Sequence, residues 1–267
     1  MDSIGSEKQL HENAPLVPAW DYSVGKNGSP DKLSLTILVP LYNEAECLPK
    51  LVEELNNFIQ VSPVDTFVYF INDGSTDGSQ SIIEPISLGD PHYHYITFKA
   101  NQGLSAALKA GFDHCKTSLV AYIDADLQTS PMDFLKLLPF LPEYDLATGI
   151  RTKRNDRIVK RLSSLIANSV RRFLIDDGIA DTGCPLKILK TEYAQAIPFF
   201  TGMHRFIPAL VQLHGGRVKQ VPVQHFPRYA GEAKYNLRNR LIKPFFDTLA
   251  FRWMKRRYIH YQIDKEA

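Results

Sequence analysis

The chain has 267 residues, 44% of them hydrophobic and 22% charged, with a formal net charge of +2. This is the composition of an ordinary globular protein with one substantial core, and it excludes a disordered, collagenous or disulfide-scaffold chain. The near-balanced charge excludes strong global steering toward a polyanion, and no apolar run approaches the roughly 18–20 residues of a membrane span.

Residues 1–32 mix Asp2, Glu7, Lys8, Glu12, Pro15 and Pro18 with scattered apolar residues. They carry no secretory leader pattern and read as a poorly ordered arm or one packed on the surface. A strand–helix rhythm begins at Leu33. Residues 33–40 (LSLTILVP) are the first predicted strand. Over residues 44–59, Leu48, Leu51, Val52, Leu55 and Ile59 recur at helical spacing. Residues 66–72 (TFVYFIN) form a second strand that ends in Asp73-Gly74-Ser75-Thr76-Asp77-Gly78, a run rich in turn and capping residues. Residues 94–98 (HYITF) are a short third strand. Residues 102–115 predict a helix with Leu104, Leu108, Gly111, Phe112 and Cys115 on one side. Residues 119–123 (LVAYI) are a fourth strand, stopping at Asp124, and residues 144–150 a fifth. Strands alternating with helices predict an α/β fold with a mainly parallel, Rossmann-like sheet covered on both faces. Ligands in such sheets bind at the carboxyl ends of the strands, where Pro40, Asp73 and Asp124 all stand.

After about residue 150 the pattern changes. Residues 158–175 predict a basic amphipathic helix, with Leu162, Leu165, Ile166, Ser169 and Phe173 on one face and Arg157, Lys160, Arg161, Arg171 and Arg172 around it. Residues 218–226 are a further strand candidate, and the end from Leu237 is helical, aromatic and basic. Cys47, Cys115 and Cys184 match no zinc spacing and read as reduced, buried thiols.

Four segments carry candidate chemistry, each with a plainer structural reading. Asp124 and Asp126, one residue apart just past an apolar strand, can converge on Mg²⁺ or Mn²⁺, with Gln128 adding a neutral oxygen; the plain reading is a solvated turn. Asp73 can accept from a base edge, while Asp77 or Ser75 caps the next helix. In Pro40-Leu41-Tyr42-Asn43-Glu44, Tyr42 can stack on a base and Glu44 hold ribose hydroxyls; the plain reading has Asn43 as a helix cap with Glu44 and Glu46 favoured by the dipole. Asn101-Gln102-Gly103 opens a helix close to such a nucleotide.

Taken in order, VPLYNE at 39–44, NDGSTDGS at 72–79, NQGLSAALKAGFD at 101–113, YIDADLQTSP at 122–131, TGIR at 148–151, DTGCPLKI at 181–188 and PRYAGEAKYN at 227–236 resemble the family 2 glycosyltransferases of GT-A fold. Within them the likeness is to the dolichol-phosphate mannose synthase-like, polyprenyl-phosphate glycosyltransferases. The resemblance implies an inverting transfer of a sugar from a UDP- or GDP-sugar to a polyprenyl phosphate, undecaprenyl or dolichyl. It implies that Pro40, Tyr42, Glu44 and Asp73 hold the nucleotide, and that Asp124, Asp126 and Gln128 hold the metal and diphosphate. It further implies that Arg151, Ser164, Arg228 and Lys234 face the phosphates near the reaction centre. The chain departs from the pattern at Asn72, where many relatives have a second acid, at Ala233 in place of a serine, and in lacking two C-terminal membrane-spanning helices.

The acceptor chemistry agrees. A lipid phosphate, with a second pKa of about 6, is largely dianionic near neutral pH and needs no general base. It needs cations, which Arg151, Arg161, Arg228 and Lys234 supply. His204 can touch the acceptor or be structural. The tail carries Lys234, Arg238, Arg240, Lys243, Arg252, Lys255, Arg256 and Arg257 interleaved with Phe245, Phe246, Leu249, Phe251, Trp253 and Tyr258. This reads as an interfacial helix on an anionic membrane surface, or as one packing its aromatics on the main domain; no nucleic-acid motif accompanies it. The expected organisation is an arm over 1–32, a catalytic domain over 33–236 and a basic aromatic segment over 237–267. The protein is expected at the cytoplasmic face of a membrane, with room for an integral-membrane partner. Two other functions compete: transfer to a hydroxyl of a glycan or glycolipid, and a non-catalytic membrane-associated subunit of the same fold.

Overall fold

The computed structural model describes residues 33–152, 174–230 and 237–259, with side chains in the last stretch from Lys243 onward. The expected helix over 158–175 lies almost wholly outside these residues, as do Lys160, Arg161, Ser164, Lys234 and the arm over 1–32.

Among the described residues seven strands form one sheet in the order β3-β2-β1-β4-β6-β5-β7. They are β1 (Ser34–Leu41), β2 (Asp65–Asn72), β3 (Tyr93–Thr97), β4 (Leu119–Tyr122), β5 (Leu146–Arg151), β6 (Lys187–Lys190) and β7 (Val218–Val223). The flanking helices are α1 (Leu48–Val61), α2 (Ser79–Gly89), α3 (Leu104–His114), α4 (Phe134–Leu137), α5 (Thr191–Ala196), α6 (Ile207–Leu213) and α7 (Leu237–Arg257). β1 pairs in parallel with β2 and β4, β2 with β3, and β5 with β7. Only β6, between β4 and β5, runs against the others. The mainly parallel sheet is therefore present. The short antiparallel strand inside DTGCPLKI and the short helices α5 and α6 were not foreseen, because four to seven residues are too few to show a period.

β1 is buried over seven of its eight residues because both faces are covered, which is why it reads as an unbroken apolar run. Pro40 is tolerated there for a local reason. The Leu38 carbonyl accepts from Ile123 N on the β4 side, and the Leu41 carbonyl accepts from Asp73 N on the β2 side. Pro40 therefore turns its nitrogen toward the β4 side, beyond the last pair Leu38–Tyr122, where no ladder bond is lost. One core layer packs α1, α2 and α4 under the sheet, around Leu51, Leu55, Phe58, Phe70 and Phe134. The other packs α3, α5, α6 and the inner side of α7 around Leu108, Phe112, Phe206, Leu210 and Phe251. Cys47, Cys115 and Cys184 are buried and unpaired, as expected of reduced thiols.

Candidate active site

Three strand ends converge as the sequence predicts. Pro40 and Leu41 end β1, Asp73 follows β2 and Asp124 follows β4 closely. Between them opens a cavity of about 380 Å³ lined by Pro40, Tyr42, Glu44, Asp73, Gly103, Asp124, Asp126 and Arg228, together with Leu41, Asn101, Leu104, Ala107 and Ala125. Of the residues assigned to the site from sequence, Gln128 and Arg151 are not on this lining.

At one end the cavity is built by the turn after β2. Gly74 adopts φ +70°, and a Cβ there would lie 2.6 Å from the Ala100 carbonyl carbon. That close approach brings the 101–103 loop onto Asp73. The Asp73 carboxylate accepts from Gln102 N at 2.6 Å and from Gly103 N at 2.8 Å. Asp73 thus fixes the loop that opens α3, besides facing the cavity. Asn43 is not the helix cap that its position suggested. Helix α1 starts only at Leu48, and Asn43, at φ +53°, forms a turn whose Oδ1 accepts from Thr76 N at 2.7 Å. Asp77 accepts from Ser79 N and Ala45 N, tying that turn to the start of α2.

The acidic end is held from several directions. Tyr122 donates its hydroxyl to Asp124 Oδ1 at 2.5 Å. Leu127 takes φ +58°, an uncommon conformation for a branched residue. Gln128 N donates to Asp126 Oδ1 at 3.1 Å, so this strained turn holds Asp126 in place. The segment after β7 closes over it: Phe226 N and His225 Nδ1 donate to the Gln128 carbonyl, and Tyr229 N to the Asp126 carbonyl. This brings Arg228 Nη2 to 2.9 Å from Asp126 Oδ2. Asp124, only partly exposed, has its carboxyl pushed up to about 6 by burial and then by the charge of Asp126. The Tyr122 hydroxyl, Lys187 and Arg151 pull in the opposite direction.

Arg151 ends β5, and Asp181 captures its fork, with Nε–Oδ2 and Nη2–Oδ1 both at 2.8 Å. A second cation, Lys187, was missed. It is buried opposite Tyr122 in the β4–β6 register and donates to the Cys184 carbonyl. Its Nζ lies 5.8 Å from the Tyr122 ring centre. The available signal was a lysine inside the apolar stretch Leu186–Leu189. His204 is tied into the fold: its Nδ1 shares a hydrogen bond of 2.8 Å with Ser105 Oγ, which also accepts from Gly202 N. Burial, with Arg205 and Lys187 adding, pushes the imidazole down to about 3 and keeps it neutral.

The sequence pattern of glycosyl transferase family 2 matches residues 36–197. The fold is similar to glucosyl-3-phosphoglycerate synthase from Mycobacterium tuberculosis, solved with Mn²⁺, uridine-diphosphate-glucose and phosphoglyceric acid. That comparison has a TM-score of 0.65 and 16% identity, covering 82% of this chain and 79% of that one. It is similar to mannosyl-3-phosphoglycerate synthase from Rubrobacter xylanophilus at TM-score 0.65 and 17% identity, over 87% and 77% of the two chains. A mannosyltransferase from Pyrobaculum calidifontis, solved with GDP-Man and Mn²⁺, matches at TM-score 0.59 and 19% identity, over 81% of this chain and 63% of that one.

Proposed function

The chain belongs to glycosyl transferase family 2, and we propose that it transfers a sugar, with inversion, from a UDP- or GDP-sugar to a polyprenyl phosphate, using Mg²⁺ or Mn²⁺. The charge of the cavity carries this reading. Among the described residues that line it, Glu44, Asp73, Asp124 and Asp126 contribute four carboxylates against the one guanidinium of Arg228. Such a cavity repels a diphosphate unless a divalent cation accompanies it, and its donors are the hard oxygens that Mg²⁺ and Mn²⁺ prefer. The solved neighbours with Mn²⁺ and a nucleotide sugar support the same pairing.

In this reading Pro40, Tyr42, Glu44, Asp73 and Gly103 bind the nucleoside, with Tyr42 against the base and Glu44 on the ribose. Asp124 and Asp126 would hold the cation, with Gln128 adding a neutral oxygen. A divalent cation there offsets the charge that develops on the diphosphate as the sugar leaves. Arg228 uses one N–H on Asp126 and offers its other donors to phosphate oxygens. Arg151, anchored by Asp181, and Lys234 add positive charge for the acceptor. A dianionic acceptor phosphate attacks the anomeric carbon, the bond to the diphosphate breaks, and no proton has to be removed. The acceptor lipid puts the reaction at the cytoplasmic face of a membrane. Among the described residues no helix is long and apolar enough to cross one.

Calorimetric titration of UDP- and GDP-sugars, with and without Mn²⁺, tests the donor end. Cation-independent binding refutes the metal role. An acceptor competition among polyprenyl phosphate, 3-phosphoglycerate and oligosaccharide tests the other end. Preferred transfer to a hydroxyl refutes the lipid phosphate.

A further inference from the structure

Helix α7 carries apolar side chains on two opposite sides, and among the described residues one side packs on the fold while the other is largely exposed. Phe251, 1% exposed, stacks on Phe206 with ring centres 5.2 Å apart. From the same side Thr248 is buried, Asp247 reaches Arg205 at 3.3 Å, and Lys255 donates to the Ile175 carbonyl at 2.8 Å. At 100° per residue these four positions fall within one arc of the helix. Phe245, Phe246, Leu249 and Trp253 fall on the opposite arc, at 45%, 62%, 39% and 63% exposure. Arg256 lies among them and Arg252 at their edge, and Arg257 stands 5.3 Å from the Trp253 ring. The one acid between Lys243 and Ile259 is Asp247, which is turned inward against Arg205.

We propose that this outer face of α7, formed by Phe245, Phe246, Leu249 and Trp253 with Arg252 and Arg256, docks the protein onto an anionic lipid bilayer. Exposed aromatics in such number are unusual for a surface that meets only water. Their chemistry matches the interface: rings seat at headgroup depth while guanidinium groups meet lipid phosphates. The absence of any outward acid along this face removes the repulsion that an anionic surface would otherwise meet. Because the inner side fixes α7 to the turn 202–206, docking also holds the catalytic domain in one orientation on the membrane. The need for a lipid surface rests on the polyprenyl-phosphate reading, but the face is defined independently of it.

The test uses the full chain with Trp20 replaced by phenylalanine, so that Trp253 is the one fluorescent tryptophan. Mixed phosphatidylglycerol–phosphatidylcholine vesicles are expected to float the protein, shift Trp253 emission to the blue and protect it from acrylamide. Phe246→Ser/Leu249→Ser is expected to abolish flotation. Arg252→Gln/Arg256→Gln is expected to weaken partition about thirtyfold on anionic vesicles, two cations at roughly 1 kcal/mol each. Neither pair should alter nucleotide-sugar binding or transfer to polyprenyl phosphate in detergent. Unchanged flotation of both variants overturns the proposal. So does Trp253 already shielded in the free chain, which would mean that another segment covers it, or self-association abolished by the same substitutions. Flotation without any transfer to polyprenyl phosphate leaves the docking face standing and sinks the acceptor reading; detergent transfer without flotation does the reverse.

Discussion

Arg228 Nη2 lies 2.9 Å from Asp126 Oδ2, so the loop after the edge strand β7 neutralises an acid at the centre of the sheet. In Arg228→Ala that acid loses its counter-charge and the diphosphate loses donors. The transfer rate is expected to fall by about 10²–10³, the scale for one preorganised charge-stabilising donor. Arg228→Lys should recover part of it, since a point charge replaces a fork. Steady-state rates at saturating donor read both; equal rates for Ala and wild type would remove Arg228 from the chemistry.

Asp126→Ala is expected to abolish transfer while leaving the fold intact. The Arg228 side chain is 30% exposed, so water takes over the freed guanidinium and the stability cost stays small. Circular dichroism melts beside rate measurements check this. Normal turnover in a folded Asp126→Ala protein refutes the proposed cation site.

Gly202→Ala should destabilise the chain by about 2–4 kcal/mol, summing a positive-φ penalty and overpacking. Gly202 sits at φ +93°, and a Cβ there would lie 2.5 Å from the Asp247 carboxylate. Adding Asp247→Ala relieves the clash and leaves the φ penalty, so the double variant should melt between the two. A double variant no more stable than Gly202→Ala would show that the contact with α7 does not matter.

Asp124 makes a pH prediction. Its carboxyl titrates at about 6 in the fold, against roughly 3.9 in an unfolded chain. Between these values the folded state binds more protons, so stability falls as pH rises from about 4 to 6 and is constant above. In the metal-free protein, Asp124→Asn should therefore raise Tm by a few degrees at pH 8 and have less effect at pH 4. Cation binding needs the carboxylate, so wild-type Mn²⁺ affinity should drop as pH falls through about 6. A pH-independent affinity, measured by calorimetry, contradicts this.

The strands around the cavity were legible because their signals are local. Buried parallel strands read as apolar runs, and turn-rich residues such as Asp73 and Asp124 mark where they stop. Boundaries moved by a few residues where turn chemistry competed with helical periodicity. Asn43 is the clear case: its side chain bonds across to Thr76 instead of capping α1. The tail held apolar residues on both sides, so sequence left it open between packing inward and facing a membrane. The structure divides it, with Phe251 inside and Phe246 and Trp253 outside.

By itself the sequence determined the alternation of strands and helices, the convergence of three strand ends, and the acidic pair at one of them. These depend on periodicity and turn preference within a few residues of chain. Only the tertiary structure decided which distant partner each charge meets. Asp181 takes the fork of Arg151, while Arg228 crosses to Asp126. Lys187 is buried, and its charge acts on Asp124. Such pairings depend on how loops far apart in sequence are brought together by the sheet, and charge complementarity over that distance leaves no local pattern to read.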